Sequence, residues 1–527
     1  MNGDLNTPLH RGEAAPLSAD RAVPEAGAGT TRGARLVGRI PERLRMPLGM
    51  AALAEAGYLV WWAAFYPGLF SYDSFTYSQE VTTGHWIADH SIAYDGAVWL
   101  SLVGTGDYSA LTLTQTFAMA AVIGYLAAGL RRFGVRTRWI ALSVLLSVIL
   151  PSTSAFVIYV WKDVPFAIGS VLAFAAVVHL VAGTLREERY HSRSGTRGTW
   201  LLLGLGLLLI CLARNNGFLA AFLIGLALLA VLPRLWKRIT AVVLVPVVCF
   251  FALSDGLYPA LGVTKPLNNA AYSFFYGDIA YAYSKHPGSF TAADRAVLLE
   301  VAPLSHWSTY GAACYDIDGL LQGSFDLPKA VQINSRLMHV FTEVAERTPV
   351  DVVQSTMCRS HPAWSVLQGS DPLNVAGVTV GPDLVGYVPI HPDIRQDKYF
   401  PEMSIRPLSG TLNKAGRFWF EGLRRSWLVS LVWGGAFWAY VAYAISGRLF
   451  AGLRRRELFA LGAVTLGNQL NVIAANPAPL YRYLASPTYI GVLMLPLLFA
   501  ARSDRRKQPD AVVGAAAEAV PGTSGDR

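Results

Sequence analysis

Three aspartates, a histidine and three cations stand in this chain at short polar turns between apolar runs, where charge is costly and therefore informative. Asp73 lies in Tyr66-Pro67-Gly68-Leu69-Phe70-Ser71-Tyr72-Asp73-Ser74, directly after the first apolar run, and Asp89-His90 follow it. Lys162-Asp163 sit in Trp161-Lys162-Asp163-Val164-Pro165, Arg214 in Ala213-Arg214-Asn215-Asn216-Gly217, and Arg482 between Tyr481 and Tyr483. A carboxylate beside aromatic side chains and lipid has its charged form disfavoured and its basicity raised, so Asp73 suits a general base toward an acceptor hydroxyl. It also suits the N-terminus of a short helix. Lys162, Arg214 and Arg482, with the amide of Asn215 and the ring of Tyr481, suit the phosphate of a lipid whose tail stays in the bilayer. Each has a plainer role as well: an interfacial Lys162-Asp163 ion pair, a helix cap at Asp163, a tight turn around Asn215, snorkelling at Arg482. His90 reads first as a hydrogen-bonded interfacial residue and second, with Asp89, as a ligand-binding group.

The elements that must position these residues are apolar and blocky. Of 527 residues, 53% are hydrophobic and 15% charged, and the mean hydropathy is +0.37, which excludes an ordinary soluble multidomain protein. The net charge of +9 falls in short clusters between apolar runs, as membrane topology requires, so it implies no nucleic-acid partner. No Walker A loop, Rossmann glycine turn, zinc spacing or GxSxG elbow is found.

These clusters predict an α-helical polytopic membrane protein of about ten spans with both termini inside. Residues 1–45 and 502–527 read as disordered cytoplasmic tails, with no cleavable signal peptide. A seven-span module covers 46–253, and its first exterior loop, 66–109, is expected to hold a short helix started by Asp73-Ser74 and ended by Gly84. Trp139 to Ile158 is expected to form the third span and Val164 to Leu185 the fourth. The stretch 254–426 is far longer than a connector and reads as an extracytoplasmic domain, mixed or mainly helical, with a helix over Ala330 to Ala345. Three more spans fill 427–501, the first from Trp427 to Ile445. Cys314 and Cys358 fall in the exterior stretch; the sequence leaves open a disulfide between them or two free thiols.

With this topology Asp73, Asp89, His90, Lys162, Asp163, Arg214, Asn215, Tyr481 and Arg482 all reach one face. The motifs Tyr66-Pro67-Gly68, Ser71-Tyr72-Asp73-Ser74, Trp161-Lys162-Asp163-Val164-Pro165, Arg214-Asn215-Asn216-Gly217 and Arg482-Tyr483 are similar to those of a group of uncharacterised bacterial membrane proteins. Over spans one to seven and the following loop the pattern resembles the GT-C superfamily of membrane glycosyltransferases. That resemblance implies a polyprenyl-phosphate sugar donor, a glycan, lipid or protein acceptor in the cell envelope, and an active face outside the plasma membrane. It also implies inverting transfer, with Asp73 as base, Asp163 positioning donor or acceptor, and Lys162, Arg214 and Arg482 stabilising the leaving phosphate. Two departures matter. His90 precedes Ser91 where the group often has proline, which weakens a direct role, and neither aspartate has an acidic neighbour, which makes a divalent metal less expected than in members with acidic pairs. The competing reading is a transporter or flippase of a lipid-linked or anionic envelope precursor; a third is a non-catalytic envelope assembly protein.

Overall fold

The computed structural model describes residues 41–190, 197–266, 270–313, 317–367 and 397–500. The chain divides into Met1–Arg45 and one body, Met46–Arg527. Nearly all of the two expected tails, and Cys314 of the expected exterior stretch, lie outside the described residues.

Every regular element among the described residues is a helix; extended pairing is confined to the isolated bridges Leu69–Tyr159 and Ile87–Thr264. Four helices are long and apolar enough to cross a membrane: Ser109–Arg132, Asp163–Leu185, Pro233–Ala260 and Tyr481–Phe499. A fifth crossing forms if the bent pair Thr137–Ile149 and Pro151–Ile158 is one span. This is an α-helical membrane protein. Helix α1 is Glu42–Ala64, α2 Tyr72–Thr83, α3 Ile92–Thr105, α4 Ser109–Arg132, α5 Thr137–Ile149 and α6 Asp163–Tyr190. Then follow α7, Arg197–Ala213, α8, Gly217–Val231, and α9, Trp236–Phe251.

The protein surrounds α6 on every side: the apolar window of this helix is 94% buried, against 17% for Pro233–Ala260, which therefore lies on the outside of the bundle. Helices α6 and α7 meet almost backbone to backbone. A Cβ on Gly206 would stand 2.7 Å from both Ala173 N and Gly169 O, a distance no side chain tolerates. Such small-residue contacts bring polar chain ends close together, because in lipid helix association relies on packing and not on hydrophobic burial.

Several expected boundaries shift where proline or glycine intervenes. The third span is not continuous: the chain bends 75° after Ile149, where Pro151 removes a helical donor. The run from Trp427 to Ile445 breaks at Gly434 into Val429–Trp433 and a helix Gly435–Leu453. The expected helix over Ala330 to Ala345 is two, Leu327–Gln332 and Asn334–Arg347, parted at Ile333. The loop after α1 holds two helices, α2 and α3, where one was expected. Residues 270–347 build a helical insert with its own core of Tyr276, Ile279, Trp307, Leu337 and Val340. Cys358 is disulfide-bonded, while Cys211 and Cys249 are free thiols.

Candidate functional site

The segment carrying Asp73 is held by its backbone before any charge is considered. Leu69 N donates to Ile158 O and Val160 N to Leu69 O, each at 2.9 Å, so Leu69 pairs with 158–160 in an isolated bridge just before α2 begins. Gly68 permits that approach, since a Cβ there would lie 2.9 Å from Ile158 O and 2.7 Å from Thr112 Cγ2. Gly68→Ala is expected to destabilise by about 1–3 kcal/mol through this overpacking, read as a lower midpoint of thermal unfolding. Next, Ser71 rather than Asp73 or Ser74 caps α2: Ser71 N donates to Ser74 Oγ at 3.0 Å in a capping box, and Gly84 ends the helix in the left-handed region at φ 70°. Ser74 Oγ also donates to Val160 O at 2.9 Å. Asp73 is thus left free in the first turn, aimed at the 160s.

There it meets Lys162 and Arg482. Lys162 Nζ lies 3.1 Å and Arg482 Nη1 2.7 Å from the same Asp73 oxygen, Oδ2. Arg214 Nη1 donates to Asp163 Oδ1 at 2.6 Å, and Arg482 Nε stands 3.9 Å from Asp163 Oδ2, too far for a hydrogen bond, with neither atom otherwise satisfied. Four segments far apart in sequence therefore supply one ionic cluster. Its side chains are 14% exposed or less, so solvent screens it weakly. Aromatic rings fix the cations. The Tyr483 ring lies under both Arg214, 4.3 Å away, and Arg482, 5.2 Å away, and the buried Trp161 ring lies 5.5 Å from Arg482. Burial alone would raise the pKa of Asp73, but Arg482, Lys162 and His90 together hold it well below the usual carboxylate range.

Burial and the neighbouring Lys162 push His90 down to about 4, so its ring is neutral near pH 7. Its Nδ1, 2.7 Å from Lys162 Nζ, must then accept that hydrogen bond, which puts the ring proton on Nε2. The cluster so counted holds three cations, two carboxylates and a neutral imidazole, a surplus of one positive charge.

Other expected site residues take different places. Tyr481 is turned away: its hydroxyl donates to Ser152 O at 2.9 Å within the core, because the 3-10 turn Tyr481–Leu484 sends 481 and 483 to different sides. Tyr483 replaces it at the cations. Asn215 acts as a brace, its Nδ2 donating to Asp89 O at 3.0 Å and Ala88 O at 3.2 Å. Ser91 Oγ closes the same junction on Leu212 O at 2.5 Å. Asp89 offers its backbone to this brace and keeps its side chain exposed.

One feature is absent from the sequence reading. Glu80 on α2, 3% exposed, and Asp95 on α3, fully buried, present four carboxyl oxygens that meet no donor at hydrogen-bonding geometry. Burial and Asp89 push Glu80 up to about 8, with Lys162 opposing. Burial and Glu80 raise Asp95 well above its ordinary value. Two buried carboxyls that raise each other in this way do not both ionise near neutral pH. The available signal was spacing, since Glu80 lies two helical turns after Asp73 on the same helix.

Among the described residues, no group of three or more His, Cys, Asp or Glu side chains is arranged to hold a metal ion. No family model, no curated protein and no solved structure matches this chain.

Proposed function

We propose that this protein is a membrane glycosyltransferase that moves a sugar from a polyprenyl-phosphate donor to a cell-envelope acceptor on the outer face of the plasma membrane. The observation that carries this reading is the buried, net-positive cluster of Lys162, Arg214 and Arg482 around Asp73 and Asp163, built from turns at the ends of apolar helices. A site with one uncompensated positive charge, aromatic walls and lipid nearby favours a monoanionic or dianionic headgroup attached to an apolar tail. The topology that goes with it has about ten spans, both termini in the cytoplasm and the 254–426 domain outside. The basic clusters and the disulfide at Cys358, which needs an oxidising compartment, support that orientation.

In this reading the donor phosphate takes over part of the grip that Lys162 and Arg482 have on Asp73. Its negative charge raises the basicity of Asp73 only when donor is bound, which keeps the base idle otherwise. The acceptor hydroxyl then attacks the anomeric carbon, its proton passes to Asp73, and the carbon–oxygen bond to phosphate breaks with inversion. The electron pair leaves on the lipid phosphate, stabilised by Lys162, Arg214 and Arg482, while Asp163 holds Arg214 and Arg482 in place. With purified, reconstituted protein and labelled polyprenyl-phosphate sugars, Asp73→Asn is expected to lower transfer at least ~100-fold while donor binding persists. Full transfer by this variant would remove Asp73 from the role of base.

One observation favours the carrier reading instead. Asn468 and Asn471, on the apolar helix Ala463–Ala474, keep Oδ1 atoms buried without partners, as polar groups along a translocation path would. Solute or lipid movement across vesicles with no sugar consumed selects it.

A further inference from the structure

Helix Gly410–Arg424 has an outward face that suits neither water nor a protein core. Its inward side packs Phe420 and Leu423, whereas Phe418 is 79% exposed and Trp427, just past its end, is 88% exposed. Lys414 and Arg425 are exposed on the same outer side. From Gly410 to Arg425 the segment carries Lys414, Arg417, Arg424 and Arg425 against the single acid Glu421. Bulky aromatics flanked by long basic side chains are the composition of a helix lying in the headgroup layer, rings toward the acyl chains and cations among the phosphates.

Its anchorage puts the helix at that level. Asn413 Nδ2 donates to Ala64 O at 2.8 Å, at the last residue of α1, and Leu408 N to Ala63 O at 2.9 Å. Trp419 Nε1 donates to Ile149 O at 2.9 Å, at the last residue of α5 before its bend. Gly416 lies against Phe65, with a Cβ position 2.9 Å from that ring. The helix therefore lies across the C-terminal end of α1 and the bend after α5, and where an apolar run such as the last turns of α1 ends, the hydrocarbon ends. We infer that Gly410–Arg424 with Trp427 is an interfacial element that docks the protein onto an anionic lipid surface, with Phe418 and Trp427 below the phosphates and Lys414 and Arg425 among them. Lipid is favoured over a protein partner by this continuity with the helix ends and by the four-to-one excess of positive charge.

The test uses the full chain, with Cys211 and Cys249 replaced by alanine, reconstituted in vesicles of phosphatidylcholine with or without phosphatidylglycerol. Nitroxide labels are placed singly at Phe418→Cys, Trp427→Cys and, as a water-facing reference on the helical insert, Leu299→Cys, itself 58% exposed. Relaxation by oxygen relative to a water-soluble nickel chelate is expected to be severalfold higher at 418 and 427 than at 299. Lys414→Glu with Arg425→Glu is expected to narrow that gap in vesicles containing phosphatidylglycerol and to leave it unchanged in pure phosphatidylcholine. Labels at 418 and 427 as open to the chelate as the reference, or shielded from both reagents by another protein surface, overturn the inference. Insensitivity to the charge reversals in both lipids overturns its anionic part.

Discussion

Arg482→Ala is expected to be the most damaging single change outside the core, lowering stability by about 3–5 kcal/mol and abolishing retention of a lipid phosphate. The stability loss follows from what is left behind. Asp73 would keep one cation, Lys162, where it now has two on the same oxygen, and Asp163 would lose its second neighbour. A carboxylate that is 9% exposed finds little water to replace the guanidinium. The binding loss follows from geometry, since Arg482 alone touches both carboxylates and therefore bridges the two halves of the cluster. Arg482→Lys separates these effects. It keeps the charge beside Asp73, so stability is expected to recover substantially, but one ammonium cannot reach both aspartates and stack over Trp161 and Tyr483 as a planar guanidinium does. Thermal unfolding in detergent and binding of polyprenyl phosphate to the two variants measure the two effects. Equal loss of binding in both, with stability restored only in the lysine variant, is the expected pattern.

The charged members of this cluster were legible in the sequence because each stood in a short turn next to a long apolar run, where a charge has little reason to be. Their assembly was not. Asp73 meets Lys162 through the Leu69–Tyr159 bridge, a pairing of two short irregular segments ninety residues apart, and no periodicity marks it. Tyr481 and Tyr483 flank Arg482 alike in sequence, and only the phase of a 3-10 turn decides which ring serves the cations. The apolar runs signalled membrane helices, four of them long enough to span, yet hydropathy overlooked the break at Gly434, whose neighbours are apolar, and averaged over the short hydroxyl run Ser152-Thr153-Ser154 that follows Pro151. Glu80 and Asp95 stayed hidden for a different reason. In a loop rich in polar residues an acidic side chain is ordinary, and only the packing of α2 on α3 removes both from water.

That burial makes stability fall with rising pH. For a carboxyl whose pKa is higher folded than unfolded, the folded state binds the proton more tightly, so its contribution is complete below the unfolded value and is lost as pH climbs through the folded one. For Glu80 the window runs from 4.5 to about 8, and Asp95, raised well above its ordinary value, extends it upward. The other charged groups acting on the pair are Asp89, which reinforces the effect, and Lys162, which opposes it. Asp73 works the opposite way, since its depressed pKa stabilises the fold above the ordinary carboxylate value and fails only in acid. The two effects therefore occupy separate ranges. His90, whose lowered pKa adds stability as pH rises from about 4 to 6.5, opposes the fall at its acid end. Between pH 6.5 and 8 the midpoint of thermal unfolding of the wild type is therefore expected to drop, by an amount equivalent to a few kcal/mol. Glu80→Gln with Asp95→Asn, which removes both titrating groups, is expected to flatten that slope and to leave the acid limb unchanged. A slope that survives this double substitution would show that other groups produce it and would remove the buried pair as its source.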